Sequence, residues 1–349
     1  MEQVISGGNQ TMMRSSISIS DIGAWFPEKI VTSQELQCEI ERFSHLKDIN
    51  LQERTGIKER RHTAPDETIV DMVEKASRDV ISKVHSRSGF DHLSIDTIIY
   101  GGISRIHLEP STAPLLQQRL GISRAFSFDV VNACLGVFDG IILADSMIKS
   151  GMAKNILVAS AERASIVMDV TLKAMEAGTV GDEGLAVLTT GDGAVAVLVC
   201  KQDSVPSSRL NVVAYSRITL SEYADCSYIT SHDTPMITNS KGIVEGSVNN
   251  CPGLINDMLE SLGWKAGDLS KLVIHQISLP VIHRIAEQVG VPLEKCPITC
   301  DYYGNTASVS APFTLMKAAE DPDLKKGDKI IVCGIGAGLG LMIMAIEVN

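Results

Sequence analysis

Three residue types that could share one reaction are spread widely along the sequence: a thiol at Cys134, an imidazole at His275 and a carboxamide at Asn305. Cys134 lies in "FDVVNACLGVFDG", between a strand-like run and a helix-like run, with small residues around it. A thiol at the start of a helix faces unpaired N–H groups and the positive end of the helix dipole, which favour the thiolate and make it a nucleophile. The plain alternative is a small buried hydrophobe, the usual state of a free cysteine.

A thiol nucleophile needs a partner, and His275 ends the apolar run "KLVIHQIS". An imidazole there can serve as base or hydrogen-bond donor, although a lone His beside an apolar strand is often structural. Asn305 in "YYGNTAS" follows a glycine, where its amide can donate to a ligand oxygen or simply make a turn. "CGIGAGLGLM" lacks the G-x-G-x-x-G spacing, and only nine residues follow Gly340, too few for a dinucleotide-binding βαβ unit. Its better use is a tight turn that presents backbone N–H groups to an oxyanion.

Elements that would position these residues alternate along the chain: "IDTIIYGG", "STAPLLQQRLG", "AFSFDVV", "GVFDGIILADSMIKSG", "KNILVASAE" and "GAVAVLVC". Apolar strands alternating with helices predict a buried, mainly parallel α/β sheet. The series then repeats. "LSIDTIIYGGIS" matches "DLSKLVIHQIS", "AKNILVASAE" matches "KGDKIIVCGIG", and "GDGAVAVLVC" matches "GAGLGLMIMAIEV", in the same order. We therefore expect two copies of one unit, an N-terminal half over 15–200 and a C-terminal half over 201–349. Residues 1–14 read as a flexible leader, and the polar stretch 203–250 as a lid or tunnel segment.

The totals fit a core-rich globular protein: 349 residues, 44% hydrophobic and 21% charged. A net charge of −11 disfavours nucleic acid and anionic membranes as partners. With no long apolar run, a cytoplasmic location is expected. Eight cysteines in a chain this long read as reduced thiols, and Cys296 and Cys300 in "CPITC" have no second pair to complete a zinc site. No metal is expected.

The markers "ERTGIKERR", "EPSTAPLLQQRLGI", "FDVVNACLG", "SGMAKNILVASAE", "GDGAVAVLV", "LVIHQIS", "YYGNTASVSAPF" and "GIGAGLG" occur in order. Together they resemble the thiolase-superfamily condensing enzymes of the β-ketoacyl synthase III type, and among them OleA and the bacterial α-pyrone synthases. The resemblance implies a five-layer αβαβα fold, a homodimer, and no cofactor beyond coenzyme A or phosphopantetheine thioesters as substrates. It places the family's Cys-His-Asn set on Cys134, His275 and Asn305. Cys134 would carry an acyl group, His275 and Asn305 would hold the carbonyl oxygen of the second substrate, and the N–H groups of Cys134 and Ala337 would form the other oxyanion hole.

Glu109 in "LEPSTA" matches the glutamate that removes an α-proton in OleA-like enzymes, reaching in from the partner subunit. In an apolar pocket its carboxyl would be raised, as a base requires. Arg54, Lys58, Arg60 and Arg61 form a basic cluster that could meet the phosphates of acyl-CoA or an acidic acyl carrier protein; a solvated face is the other reading. Asn50 stands where such enzymes usually carry a Trp for the adenine of coenzyme A. The expected activity is a Claisen condensation giving a β-keto acid, a pyrone or a resorcinol precursor. The alternatives are a decarboxylative synthase or acyltransferase using malonyl carrier protein, and a non-catalytic acyl-binding partner subunit.

Overall fold

Unbroken apolar runs cannot alternate between core and solvent, so both faces of such strands must be covered. A computed structural model describes residues 5–7, 10–42, 49–205 and 208–349, and shows how that covering is done. The chain begins with β1 (Ile5–Gly7), β2 (Gln10–Arg14), β3 (Ile17–Trp25), β4 (Lys29–Thr32), α1 (Ser33–Ile40), α2 (Leu51–Thr55) and β5 (Glu59–His62). It continues through the long helix α3 (Ile69–Ser88), β6 (Thr97–Tyr100), α4 (Thr112–Arg119), β7 (Phe126–Asp129), α5 (Gly136–Lys149), β8 (Asn155–Glu162), α6 (Ala164–Glu176) and β9 (Gly193–Lys201). Then come β10 (Leu210–Thr219), the short pair β11 (Ser227–Tyr228) and β12 (Ile237–Thr238), and α7 (Ser240–Leu262). The last elements are β13 (Leu269–Ile274), α8 (Leu279–Val289), α9 (Cys300–Tyr303), α10 (Ser310–Ala319), β14 (Lys329–Gly336) and β15 (Gly340–Val348).

The main sheet runs β13-β14-β15-β10-β3-β9-β8-β6-β7. In the first half β6 lies parallel to β8, β8 antiparallel to β9, and β9 antiparallel to β3. The second half repeats the pattern: β13 parallel to β14, β14 antiparallel to β15, β15 antiparallel to β10. Each of the three sequence matches therefore pairs strands of equivalent place. The two antiparallel partners in each half make the sheet mixed rather than mainly parallel. Strands β3 and β10 meet through two residue pairs, Ile19 with Leu210 and Ser18 with Asn211, so the sheet is narrow there while a shared central core joins the halves.

Period-two alternation sorts each strand between two cores. Val195, Val197 and Val199 of β9 face the central core, while Ala194, Ala196, Leu198 and Cys200 face the layer that carries α3. On β14, Ile330 and Val332 point to the centre, and Ile331 and Cys333 point to the layer of α7 and α8. Helices α5 and α10 fill the centre between the sheets, which makes five layers: helix, sheet, helix, sheet, helix. A helix so placed must be apolar on nearly all sides, and ten residues of α5 are buried.

Two segment expectations are corrected. Residues 10–14 are not a leader, because β2 pairs with β10 through Arg14 and Met13; residues 1–4, 8 and 9 lie outside the described residues. The stretch 203–250 is not one lid, since it contains β10, a strand of the main sheet, and the first turns of α7. Among the described residues the connection around β11 and β12 is largely irregular. Among the described residues no helix is long and apolar enough to cross a membrane.

Candidate active site

Cys134 sits on a tight bend between β7 and α5. Leu135 and Gly136 donate their N–H groups to the carbonyls of Asn132 (2.9 Å) and Ala133 (3.3 Å), and Ala133 is held at φ 46°. Few non-glycine residues adopt that left-handed conformation, and it costs roughly 1–3 kcal/mol where the surroundings enforce it. The enforcing contact is the approach of α5 to β6: a Cβ on Gly136 would lie 2.0 Å from the carbonyl oxygen of Gly101. Only two facing glycines allow the helix to start there.

The glycine loop lies on the other side of the bend. A Cβ on Gly334 would lie 2.8 Å from the Leu135 side chain, and one on Gly336 would lie 3.5 Å from the Cys134 backbone nitrogen. Ala337, the next residue, begins the β14–β15 turn, so its N–H and that of Cys134 belong to touching segments.

His275 follows the last residue of β13, and its N–H donates to the carbonyl of Cys333 at 2.9 Å, extending the ladder toward Gly334. Its neighbour Gln276 is fully buried and ties the strand end down. The Gln276 amide donates to Ile274 O (2.7 Å) and Pro297 O (3.2 Å), and its oxygen accepts from the N–H groups of Thr299 (2.9 Å) and Cys300 (3.1 Å). The imidazole itself is buried, and desolvation pushes it down to about 4. It is thus neutral near pH 7 and has an N–H to give.

Asn305 is fixed by its backbone. Its N–H donates to Thr189 O (2.8 Å), and its carbonyl accepts from Gly191 (3.1 Å). Its side-chain oxygen accepts from the N–H of Ala307 (3.0 Å), itself at φ 49°. With the oxygen occupied, the amide NH₂ is the end left to donate.

The thiol departs from the sequence expectation. Burial, then the carboxylate of Glu162, push Cys134 up to about 12, with its own backbone N–H pulling the other way. The N–H groups of Leu135 and Gly136 that would favour a thiolate are already spent in the bend. At rest the site therefore favours the thiol over the thiolate.

Glu162 is the site residue that the sequence reading missed. It ends β8, is 2% exposed, and accepts from Ile103 N and Ser104 N (3.0 Å each), Ser104 Oγ (2.8 Å) and Ser308 Oγ. The signal was present in "VASAE", where an acid closes a fully apolar strand.

Glu109 lies elsewhere in the single chain. It is exposed, on the loop between β6 and α4, and not in an apolar pocket of its own chain; beside it Leu108 is 93% exposed. Both ends of this loop are fastened. Glu162 binds Ile103 and Ser104, and Asp129 accepts from the N–H groups of Thr112 (2.7 Å) and Ala113 (2.8 Å) at the start of α4.

The basic cluster divides. Arg60 is 1% exposed and donates to Ser33 Oγ (3.0 Å), Leu188 O (2.8 Å) and Val31 O (3.4 Å), so it is a structural bridge and not a phosphate ligand. Desolvation lowers it to about 10. Arg61 is half-buried, pairs with Glu59 (3.2 Å) and lies over the Tyr303 ring. Arg54 and Lys58 are exposed, Lys58 reaching Tyr302 Oη at 3.2 Å. Asn50 caps α2 by accepting from Glu53 N at 3.0 Å, which explains a polar residue there.

A thiol beside touching backbone N–H groups, a neutral imidazole just past the end of β13 and a carboxamide NH₂ on the turn held against Thr189 are groups suited to acyl transfer through oxyanions. Comparison with known proteins identifies the family. The model for 3-oxoacyl-[acyl-carrier-protein] synthase III matches residues 128–217, and the model for its C-terminal part matches 259–348. The chain is 31% identical over 320 residues to the β-ketoacyl-[acyl-carrier-protein] synthase III of Aquifex aeolicus, covering 91% of this chain and 94% of that one. It is 32% identical over 336 residues to synthase III 2 of Halalkalibacterium halodurans, covering 93% and 94%. Among solved structures, Xanthomonas campestris OleA with bound lauric acid and lauroyl-CoA superposes with a TM-score of 0.89 at 26% identity, covering 96% of this chain and all of that one. FabH from Xanthomonas oryzae gives 0.87 at 27%, covering 96% and 99%.

Proposed function

The chain belongs to the 3-oxoacyl-[acyl-carrier-protein] synthase III family and is an acyl-transferring condensing enzyme, and from that premise we propose that it joins two acyl thioesters without decarboxylation. In the first half-reaction the Cys134 sulfur attacks the thioester carbonyl. The oxyanion is held by the N–H groups of Cys134 and Ala337, and its collapse expels the pantetheine thiol, which leaves with the cysteine's proton. In the second, the partner subunit's Glu109 removes the α-proton of another acyl or β-ketoacyl thioester. His275 and Asn305 donate to the enolate oxygen, a task for neutral donors. The carbanion attacks acyl-Cys134, a carbon–carbon bond forms, and the sulfur departs to be reprotonated. A saturated second substrate gives a β-keto acid after hydrolysis; a β-ketoacyl one allows closure to a pyrone or a resorcinol precursor. Arg54, Lys58 and Arg61 are available for the phosphates of coenzyme A or a carrier protein.

The observation that supports this reading is the anchored, exposed Glu109 loop. A carboxylate raised on a loop fixed at both ends, flanked by Ile106 and Leu108, is built to enter a second molecule. Beside it, among the described residues, β7 pairs only with β6 and exposes Phe126, an open edge that a second copy would close in a homodimer.

The relatives' names favour a second reading, decarboxylative condensation with malonyl carrier protein. One experiment separates them: acyl-CoA is supplied alone or with malonyl carrier protein, and products are weighed by mass spectrometry. The proposal expects β-keto product from acyl-CoA alone, and a loss of about 10²-fold or more in Glu109→Ala with acylation of Cys134 retained. Full turnover of Glu109→Ala with malonyl carrier protein, and none with acyl-CoA alone, would establish the second.

A further inference from the structure

A buried carboxylate without a counter-ion is costly, and a strand that only needed packing would end on an apolar residue. Among the described residues no cation pairs with Glu162; its charge is met by four hydrogen-bond donors. Those donors come from two separate stretches. Ile103 and Ser104 open the loop that carries Glu109, and Ser308 stands three residues after Asn305. Ser308 Oγ also lies 2.7 Å from Ser160 Oγ, and the N–H of Arg163 donates to Ser104 Oγ at 3.0 Å, so both stretches are locked to β8.

Resting on the condensation proposed above, we infer that Glu162 is a positioning residue: its one carboxylate sets the Asn305 turn and the root of the Glu109 loop in a common register around Cys134. It touches neither substrate nor reacting atoms. It binds together the segment that holds one subunit's enolate donor and the segment that delivers the base to the other subunit.

Its negative charge gives a readout that a purely structural role would leave unchanged. Glu162 is one of the causes that raise Cys134, and its own carboxyl is raised by burial and opposed by its four donors. The other titratable group facing it is Tyr100 on β6, which Asp129 and Arg105 also influence. On β9 it pairs with Gly193, and the side chain of the adjacent Arg163 turns away to Thr63, Ala64 and Pro65.

The test measures iodoacetamide alkylation of Cys134 against pH, and separately acyl loading and condensation, in wild type, Glu162→Gln, Glu162→Asp and Ser308→Ala. In Glu162→Gln the alkylation profile moves to lower pH by about one unit, and condensation falls tenfold or more while loading persists. Glu162→Asp keeps the charge but not the reach, so its alkylation profile stays near wild type while condensation falls. Ser308→Ala lowers condensation with the alkylation profile unmoved. An unshifted profile together with condensation within twofold of wild type in Glu162→Gln overturns the inference; should that variant not fold, undiminished condensation in Ser308→Ala does so. Alkylation needs no substrate, so failure of wild type to load an acyl group sinks the proposed function and leaves this inference to be judged on its own.

Discussion

At the scale of the residue, the environment of the nucleophile decides how it reacts. A thiol raised to about 12 is very largely protonated at pH 7, so the substrate-free enzyme should react sluggishly with alkylating agents. We predict that iodoacetamide labelling of Cys134 climbs with pH and shows no plateau below pH 10; a plateau near pH 7 would mean a resting thiolate. His275 makes a prediction about stability. Its folded value of about 4 lies below the ordinary 6.5, so between those limits the unfolded chain binds a proton that the folded chain refuses. Stability is unaffected by this group above pH 6.5 and is lost as pH falls toward 4, by an amount on the order of 3 kcal/mol. Thermal melting of wild type and His275→Gln should converge toward acid pH, the variant losing less on acidification. Equal acid losses in both would show that the imidazole is not buried as described.

At the scale of the element, the bend before α5 is held by backbone approach. Gly136→Ala places a methyl group into the Gly101 carbonyl, and we expect a loss of several kcal/mol together with reduced acylation, read by melting temperature and by adduct mass. Wild-type melting in that variant would show that the helix can shift freely. The paired runs led to the right strands, because fully apolar segments have only one kind of place to go. Strand β10 escaped because polar residues interrupt it: the half-buried Asn211 and the buried Ser216 sit among the apolar residues and make the run look like part of a loop. Arg60 misled for a different reason. Its sequence neighbours Lys58 and Arg61 suggest a charged face, but β5 alternates, and every second side chain turns inward, where carbonyls of Val31 and Leu188 accept the guanidinium. For Glu162 the acid closing an apolar strand was legible but what satisfies it was not, since the donors come from Ile103, Ser104 and Ser308, far away in the chain.

At the scale of the whole molecule, the reaction is proposed to need two copies. Chains carrying Cys134→Ala and chains carrying Glu109→Ala are each expected to be inactive in condensation. Mixed and allowed to exchange, they should recover roughly a quarter of wild-type turnover, because half the dimers then hold one site with both groups supplied by different chains. No recovery, with exchange demonstrated, would place the base within its own subunit. The duplication was readable as three pairs of strands, and Cys134, His275 and Asn305 as separate residues of suitable chemistry; what surrounds each depends on contacts such as Gly336 against Cys134 that no local pattern encodes. The most direct measurement is intact-protein mass spectrometry after incubation with acyl thioesters of graded length, followed by peptide mapping. The account predicts one acyl mass per chain, on Cys134, absent in Cys134→Ala and discharged when a second acyl thioester is added. A wild-type chain that gains no acyl mass from any thioester, or gains it on another residue, would contradict it.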